Sequence, residues 1–204
     1  LRTLIPLGYV RQLPNRSYAL SPGLIRLGNA AGLQLGTYAQ PVLQGLVDEL
    51  GESANMAMLD GQMVVYVGQA QSSHSMRMFT EVGRRAHMHD TGVGKAILAA
   101  LPEQQVLSIV TSMGMPTPTV KSHGTVESLL ADLEVIRERG YAVDDEEQEI
   151  GVRCFSMVLP NAPTPTAISV SGPTTRVDWG FGERAVPLLR DAAQRLSAQF
   201  ASAR

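Results

Sequence analysis

The 204-residue sequence predicts an α+β fold: an antiparallel sheet flanked by helices. Three observations lead there. Five or six strand-like runs follow one another mostly in meander order. Segments with a single apolar stripe at helical spacing lie between the runs and at both ends. The composition, 44% hydrophobic and 18% charged, is that of an ordinary globular chain long enough for one generous core. No run of 18 or more apolar residues is present, so no membrane-spanning helix is expected.

In chain order, Gly8-Tyr9-Val10 and Ser17 to Leu20 have strand chemistry, and Pro14-Asn15 between them supplies a turn. Two such strands do not make a stable sheet alone. The chain is therefore expected to be cut from a longer one. Ser21-Pro22 pairs an N-cap with a first-turn proline and starts a helix that runs to about Leu35. Val42, Leu43, Leu46, Val47 and Leu50 then mark a buried helical stripe that stops at Gly51. Ala54 to Leu59 and Met63 to Val67 form a hairpin around Asp60-Gly61. Met76 to Phe79 is a candidate further strand. Thr91 caps a helix through Leu101, and Pro102 opens another through Val110. Thr125 caps an amphipathic helix carrying Leu129, Leu133 and Ile136, which Gly140 ends. Tyr141 to Val143, Cys154 to Leu159 and Thr166 to Ser171 read as strands, and a last helix begins near Gly182.

The net charge of −2 argues against nucleic-acid binding by the whole chain. Its distribution is uneven. Arg2, Arg11, Arg16 and Arg26 stand before Val47 with no acid among them, leaving 13 basic against 19 acidic groups in the remainder. A basic tip on an acidic body suits an N-terminal edge facing a polyanion. The single cysteine, Cys154, excludes an internal disulfide and fits a reducing, cytoplasmic setting.

Gly92-Val93-Gly94-Lys95 resembles a phosphate loop but fails it, with His89 where the leading glycine belongs and Ala96 after the lysine. What survives is a glycine-rich helix start, Thr91 to Val93, whose exposed amides suit a carboxylate or phosphate. Close helix–sheet packing is the alternative reason for the glycines. His87-x-His89 has a spacing that can hold a metal, with ordinary polar packing as the competing reading; no metal is expected. Cys154 lacks a paired histidine, which favours a buried small residue over a nucleophile. Asp144, Asp145, Glu146, Glu147 and Glu149 crowd a turn, and Asp144 is the one expected near a pocket mouth. Ser169-x-Ser171 puts two hydroxyls on one strand face, the pattern of an apolar pocket for a small polar ligand. These features make one pocket with no complete catalytic set.

In combination and order, several stretches resemble the IclR family of bacterial transcription regulators over essentially the whole chain. They are Gly8-Tyr9-Val10 with Tyr18-Ala19-Leu20, Met76-Arg77-Met78, Val82-Gly83, HDTGVGKA from His89, RERGYAVDDEEQEIGVRC from Arg137 and AISVSGP from Ala167. The resemblance implies a GAF-like effector domain over residues 37–204. A linker helix would occupy 21–36, and 1–20 would be the remnant of an N-terminal winged helix-turn-helix, its wing hairpin carrying Arg11 and Arg16 toward DNA phosphates. By resemblance to the glyoxylate/pyruvate-sensing subgroup, the ligand-binding positions are Met78, Gly92, Val93, Asp144, Val152, Cys154, Ser169 and Ser171. Val93 stands where a smaller alanine is common and would trim the pocket. Ser75 stands where an apolar residue is expected.

The function expected from this resemblance is a cytoplasmic, non-enzymatic sensor of a small organic acid that needs no cofactor. It would assemble as a homodimer or homotetramer and alter operator DNA affinity through that assembly. The rival expectations are a small hydrolase or transferase using Cys154 with His89 or Asp144, and a ligand-free oligomerisation module.

Overall fold

The computed structural model describes residues 2–28 and 39–202 and contains two compact units, Leu1–Thr37 and Tyr38–Arg204. In the first, β1 (Val10–Gln12) pairs antiparallel with β2 (Tyr18–Leu20). Leu13 and Ser17 close the turn through a 2.8 Å backbone bond, and Asn15 Oδ1 accepts from the Ser17 amide at 3.0 Å. Gly8 and Tyr9 lie in turn and bend conformations rather than strand, since Gly8 has φ 73° and both amides bond back to Ile5 and Leu4. Residues 23–28 are helical, initiated by bonds from the Leu24 and Ile25 amides to Ser21 and Pro22. The rest of the expected linker helix lies outside the described residues.

The second unit begins with α1 (Ala39–Leu50), whose buried side chains are Ala39 and the five of the sequence stripe. A six-stranded antiparallel sheet follows: β3 (Ser53–Asp60), β4 (Met63–Ala70), β5 (Arg85–Ala86), β6 (Ala142–Asp145), β7 (Val152–Val158) and β8 (Thr166–Pro173). Their order is β5-β4-β3-β8-β7-β6, so two meanders join where β3 meets β8. Between β5 and β6 come α2 (Gly92–Ala99), α3 (Glu103–Met113) and α4 (Val126–Arg139). The unit ends on α5 (Trp179–Ser202).

Alternation along the strands divides the core in two. Met56, Phe155, Met157, Ile168 and Val170 pack with α1 and α5 on one face. Ala57, Val64, Tyr66, Ala142 and Ala167 pack with α2, α3 and α4 on the other. Fully burying side chains such as Leu43, Leu133 or Leu189 contributes about 1.5–3 kcal/mol each. No described helix is long and apolar enough to cross a membrane.

Several expected boundaries shift. Met76 to Phe79 is not a strand. Its carbonyls are taken by side chains: Arg176 Nη2 donates to Met76 at 2.9 Å and Ser53 Oγ to Met78 at 2.9 Å, so no neighbouring strand is needed. The edge position beside β4 goes to Arg85–Ala86 instead. Helix α2 stops at Ala99 rather than Leu101, its last amides turning to i−3 bonds, while α3 runs on to Met113. Helix α5 starts at Trp179, three residues before Gly182, because Asp178 Oδ1 accepts the Phe181 amide at 2.7 Å as a cap.

Candidate functional site

Strand pairing builds the floor of a cavity on the α2 face. The register places Ser53, Ser171, Cys154 and Asp144 in one cross-strand row, and Asn55, Ser169, Ser156 and Ala142 in the next. Directly opposed antiparallel residues share a face, so these rows put a carboxylate, a thiol, an amide and four hydroxyls side by side. Asn55 Nδ2 donates to Ser171 Oγ at 3.4 Å, and Gln69 Nε2 donates to Asn55 Oδ1 at 3.2 Å. The Cys154 and Ser156 side chains meet at 3.2 Å.

The roof is the start of α2. Thr91 Oγ1 accepts the Gly94 amide at 3.1 Å, and the Lys95 amide makes the first full helical bond back to Thr91. The amides of Gly92 and Val93 therefore precede the helical ladder, at the positive end of the helix dipole. Gly92 rests so close to the sheet that a Cβ would collide with Ser156 Oγ and lie 3.1 Å from Cys154 Sγ. A Cβ on Gly94 would collide with Met88 and stand 2.5 Å from Thr91 Oγ1. The glycine spacing thus serves close packing, and that packing brings the helix amides down onto the polar rows.

The enclosed cavity is lined by Asn55, Tyr66, Met78, Thr80, Thr91, Gly92, Asp144, Gln148, Val152, Cys154, Ser169 and Ser171. Its free volume is about 20 Å³. One water needs roughly 10–15 Å³ on that measure, so the walls stand almost in contact. Seven of the eight positions singled out for ligand contact meet here. Val93 does not: its buried side chain belongs to the apolar cluster of Ala96, Ile97 and Val106, so it trims no part of this cavity. Only its backbone faces the helix start.

Sequence reading missed Asn55, Tyr66, Thr80 and Gln148. One signal was available for Asn55, a lone amide within the apolar run Ala54 to Leu59. Arg11 lies on exposed β1 opposite Ala19, and Arg16 sits exposed in the turn with φ 63°.

Burial and the neighbouring Glu147 carboxylate raise the Asp144 pKa from 3.8 to about 7, against the pull of two backbone amides and Lys95. Its Oδ1 accepts from Glu147 N at 2.8 Å and Gln148 N at 3.3 Å. Burial, then Asp144, pushes the Cys154 thiol up to about 12. Burial also raises the Tyr66 phenol, with the Cys154 sulfur adding to it. At neutral pH Cys154 is a thiol, not a nucleophilic thiolate. His89 does not help it: its Nε2 is bound to the Pro116 carbonyl at 2.8 Å, and its ring packs edge-on to His87 with centroids 5.6 Å apart. His87 and His89 do not lie in a strand.

Beyond this wall, Lys95 is buried and bonded to Asp132 Oδ2 at 2.7 Å and Glu147 Oε1 at 2.5 Å. Glu147 is thus a buried ionic partner. Asp132 is brought down to about 2, since burial, which alone would raise it, is overcome by His123 and Lys95. Among the described residues, His123, Asp132 and Glu147 have ligand atoms within 4.8 Å of one another and form the one group with metal-ligand spacing. The Lys95 ammonium already stands between its two carboxylates.

The family profile described as "Bacterial transcriptional regulator IclR C-terminal" matches residues 29–198. The chain belongs to the IclR family. It is 31% identical over 204 residues to the HTH-type transcriptional regulator KdgR of Dickeya chrysanthemi, an alignment covering 98% of this chain and 67% of that protein. It is 35% identical over 187 residues to the transcriptional repressor IclR of Escherichia coli K12, covering 87% and 67%. The structure is similar to that of Thermotoga maritima IclR, with a TM-score of 0.81 and 26% identity over 98% of this chain and 82% of the other. The second unit accordingly has the GAF-like fold of the family's effector domains, and its relatives are regulators rather than enzymes.

Proposed function

We propose that the Tyr38–Arg204 unit senses a small organic acid, held in the cavity between α2 and the polar rows of β3, β8, β7 and β6. One observation carries this reading: the free amides at the α2 start close directly over buried serines, an amide and a carboxyl that the fold places in register. The ligand's carboxylate would take the Gly92 and Val93 amides, and the serine hydroxyls and Asn55 would bond its remaining oxygens. The resemblance of the lining to the glyoxylate/pyruvate-sensing subgroup favours a small 2-oxo acid, and the walls must open to admit any acid. A pure assembly module has no need of an aligned set of buried polar side chains, whose burial is unfavourable unless partnered.

In the complete regulator, a winged helix-turn-helix containing the β1–β2 hairpin would hold operator DNA, with Arg11 and Arg16 at phosphates. The effector would favour one arrangement of a cytoplasmic homodimer or homotetramer over another. A coupling of about 1–3 kcal/mol changes DNA affinity several-fold to about a hundredfold. The test is a thermal-shift and calorimetric screen of small carboxylates on the 204-residue chain and on Ser171→Leu. The expected result is stabilisation of the parent by at least one acid and none of the variant, whose leucine fills the cavity. If no acid stabilises the parent at millimolar concentration, the sensor reading fails; an unchanged shift in the variant places the site elsewhere.

A further inference from the structure

A second hollow of about 410 Å³, broadly open to solvent, is lined by Arg84, His87, Asp90, Pro116, Thr117, Pro118 and Gln148. The two share Gln148 as a wall, and the consecutive residues Asp90 and Thr91 face one hollow each. Asp90 is only 5% exposed, yet its Oδ1 has no hydrogen-bond partner among the described residues. A buried carboxylate oxygen left unpaired is costly and rare in a folded protein.

The charged groups around it do not repair this. His89 commits its Nε2 to Pro116, and Lys95 is taken by Asp132 and Glu147. Arg84 and His87 line the same hollow, and neither hydrogen-bonds Asp90 Oδ1. A carboxyl oxygen accepts hydrogen bonds, so the missing partner is a donor.

We propose that this hollow is a second compartment of the effector site, in which a hydroxyl or amino group a few atoms from the ligand's carboxylate donates to Asp90 Oδ1. The inference rests on the reading of the first cavity as the acid site and narrows the ligand class to hydroxy- or amino-substituted acids. With the carboxylate on the α2 amides, the substituent passes Gln148, whose half-buried side chain is the gate between compartments. An unsubstituted acid leaves Asp90 unpaired, and a site built to bond a donor discriminates against the analogue lacking it.

Calorimetry on the 204-residue chain with short ω-hydroxy and ω-amino acids, each against its unsubstituted parent acid, tests this. The expected result is tighter binding of a substituted acid by about ten- to a hundredfold over its parent, the range of a hydrogen bond to a charged group. In Asp90→Ala that advantage should vanish while the parent acid binds as before. Should Asp90→Ala not fold, Asp90→Asn keeps the shape without the charge and should reduce the advantage of the amino series. Equal affinity for substituted and parent acids overturns the second compartment and leaves the acid site standing. An advantage that survives both variants removes Asp90 from it. Failure of every acid to bind overturns both readings.

Discussion

Burial and Glu147 hold the Asp144 pKa at about 7 against 3.8 in an unperturbed chain. Between those values the folded state keeps a proton that the unfolded state releases. The stabilisation is therefore full below about pH 4 and is lost as pH rises through 7. Three units correspond to on the order of 4 kcal/mol. Asp132 runs the other way: held near 2, it contributes stability above its ordinary 3.8 that is lost as pH falls toward 2. Asp144→Asn keeps an oxygen for the Glu147 and Gln148 amides and removes the titration. Unfolding free energies from urea titration are expected to match the parent at about pH 4 and exceed it by a few kcal/mol at pH 8; a variant no more stable at pH 8 would mean that the carboxyl ionises there without penalty. The same linkage makes acid binding take up a proton near neutral pH, so affinity should weaken above pH 7. The candidate contacts on strands were legible because side chains alternate with period two: Ser169 and Ser171, or Cys154 beside Asp144 across a register. The Lys95–Glu147 pair was not legible. Its partners are 52 positions apart, and nothing local distinguishes Glu147 from the other acids of the same turn.

Helix α2 joins the fold to the site, and its two glycines carry that contact. Gly92→Ala improves intrinsic helix propensity by about 1 kcal/mol, but its methyl meets Ser156 Oγ and Cys154 Sγ, and overpacking of this kind costs about 1–3 kcal/mol. The net effect expected is destabilisation with loss of acid binding, because the helix amides lift from the polar rows. Ser156→Ala should restore part of both in the double variant, and a double-mutant cycle in urea reads the coupling. Additive effects would show that Gly92 does not bear on Ser156. Lys95 sets a second condition on this helix. Lys95→Met leaves Asp132 and Glu147 buried or half-buried without their cation, and about 3–5 kcal/mol of stability should be lost. Helices and hairpins were readable from caps, stripes and the Asp60-Gly61 turn. The Met76–Phe79 segment was not, because its strand-like sequence is claimed by Arg176 and Ser53, contacts that exist only once β3 and the β8–α5 turn are in place. The early start of α5 was legible in Asp178, a cap residue ahead of Trp179.

The two units differ in how much holds them together. Among the described residues of the first, Val10 alone is buried, and its sheet has three paired positions. The second has a core on each face of a six-stranded sheet. Opening free energies across one chain range from near zero to the global value, following buried contacts and protected hydrogen bonds. Amide exchange should therefore be fast in β1 and β2 and slowest where β3 pairs with β8, in the middle of the sheet. A bound acid acts only on the state that binds it. At a hundred times its dissociation constant it adds about 2.7 kcal/mol, which slows globally controlled exchange in β3, β7 and β8 by about a hundredfold. Exchange in β1 and β2 should stay unchanged if the hairpin opens independently. Protection appearing there as well would mean that ligand binding orders the hairpin within a single chain, and signalling would then need no change of assembly. Protection confined to the second unit would favour the proposed route, in which the acid acts through the arrangement of subunits.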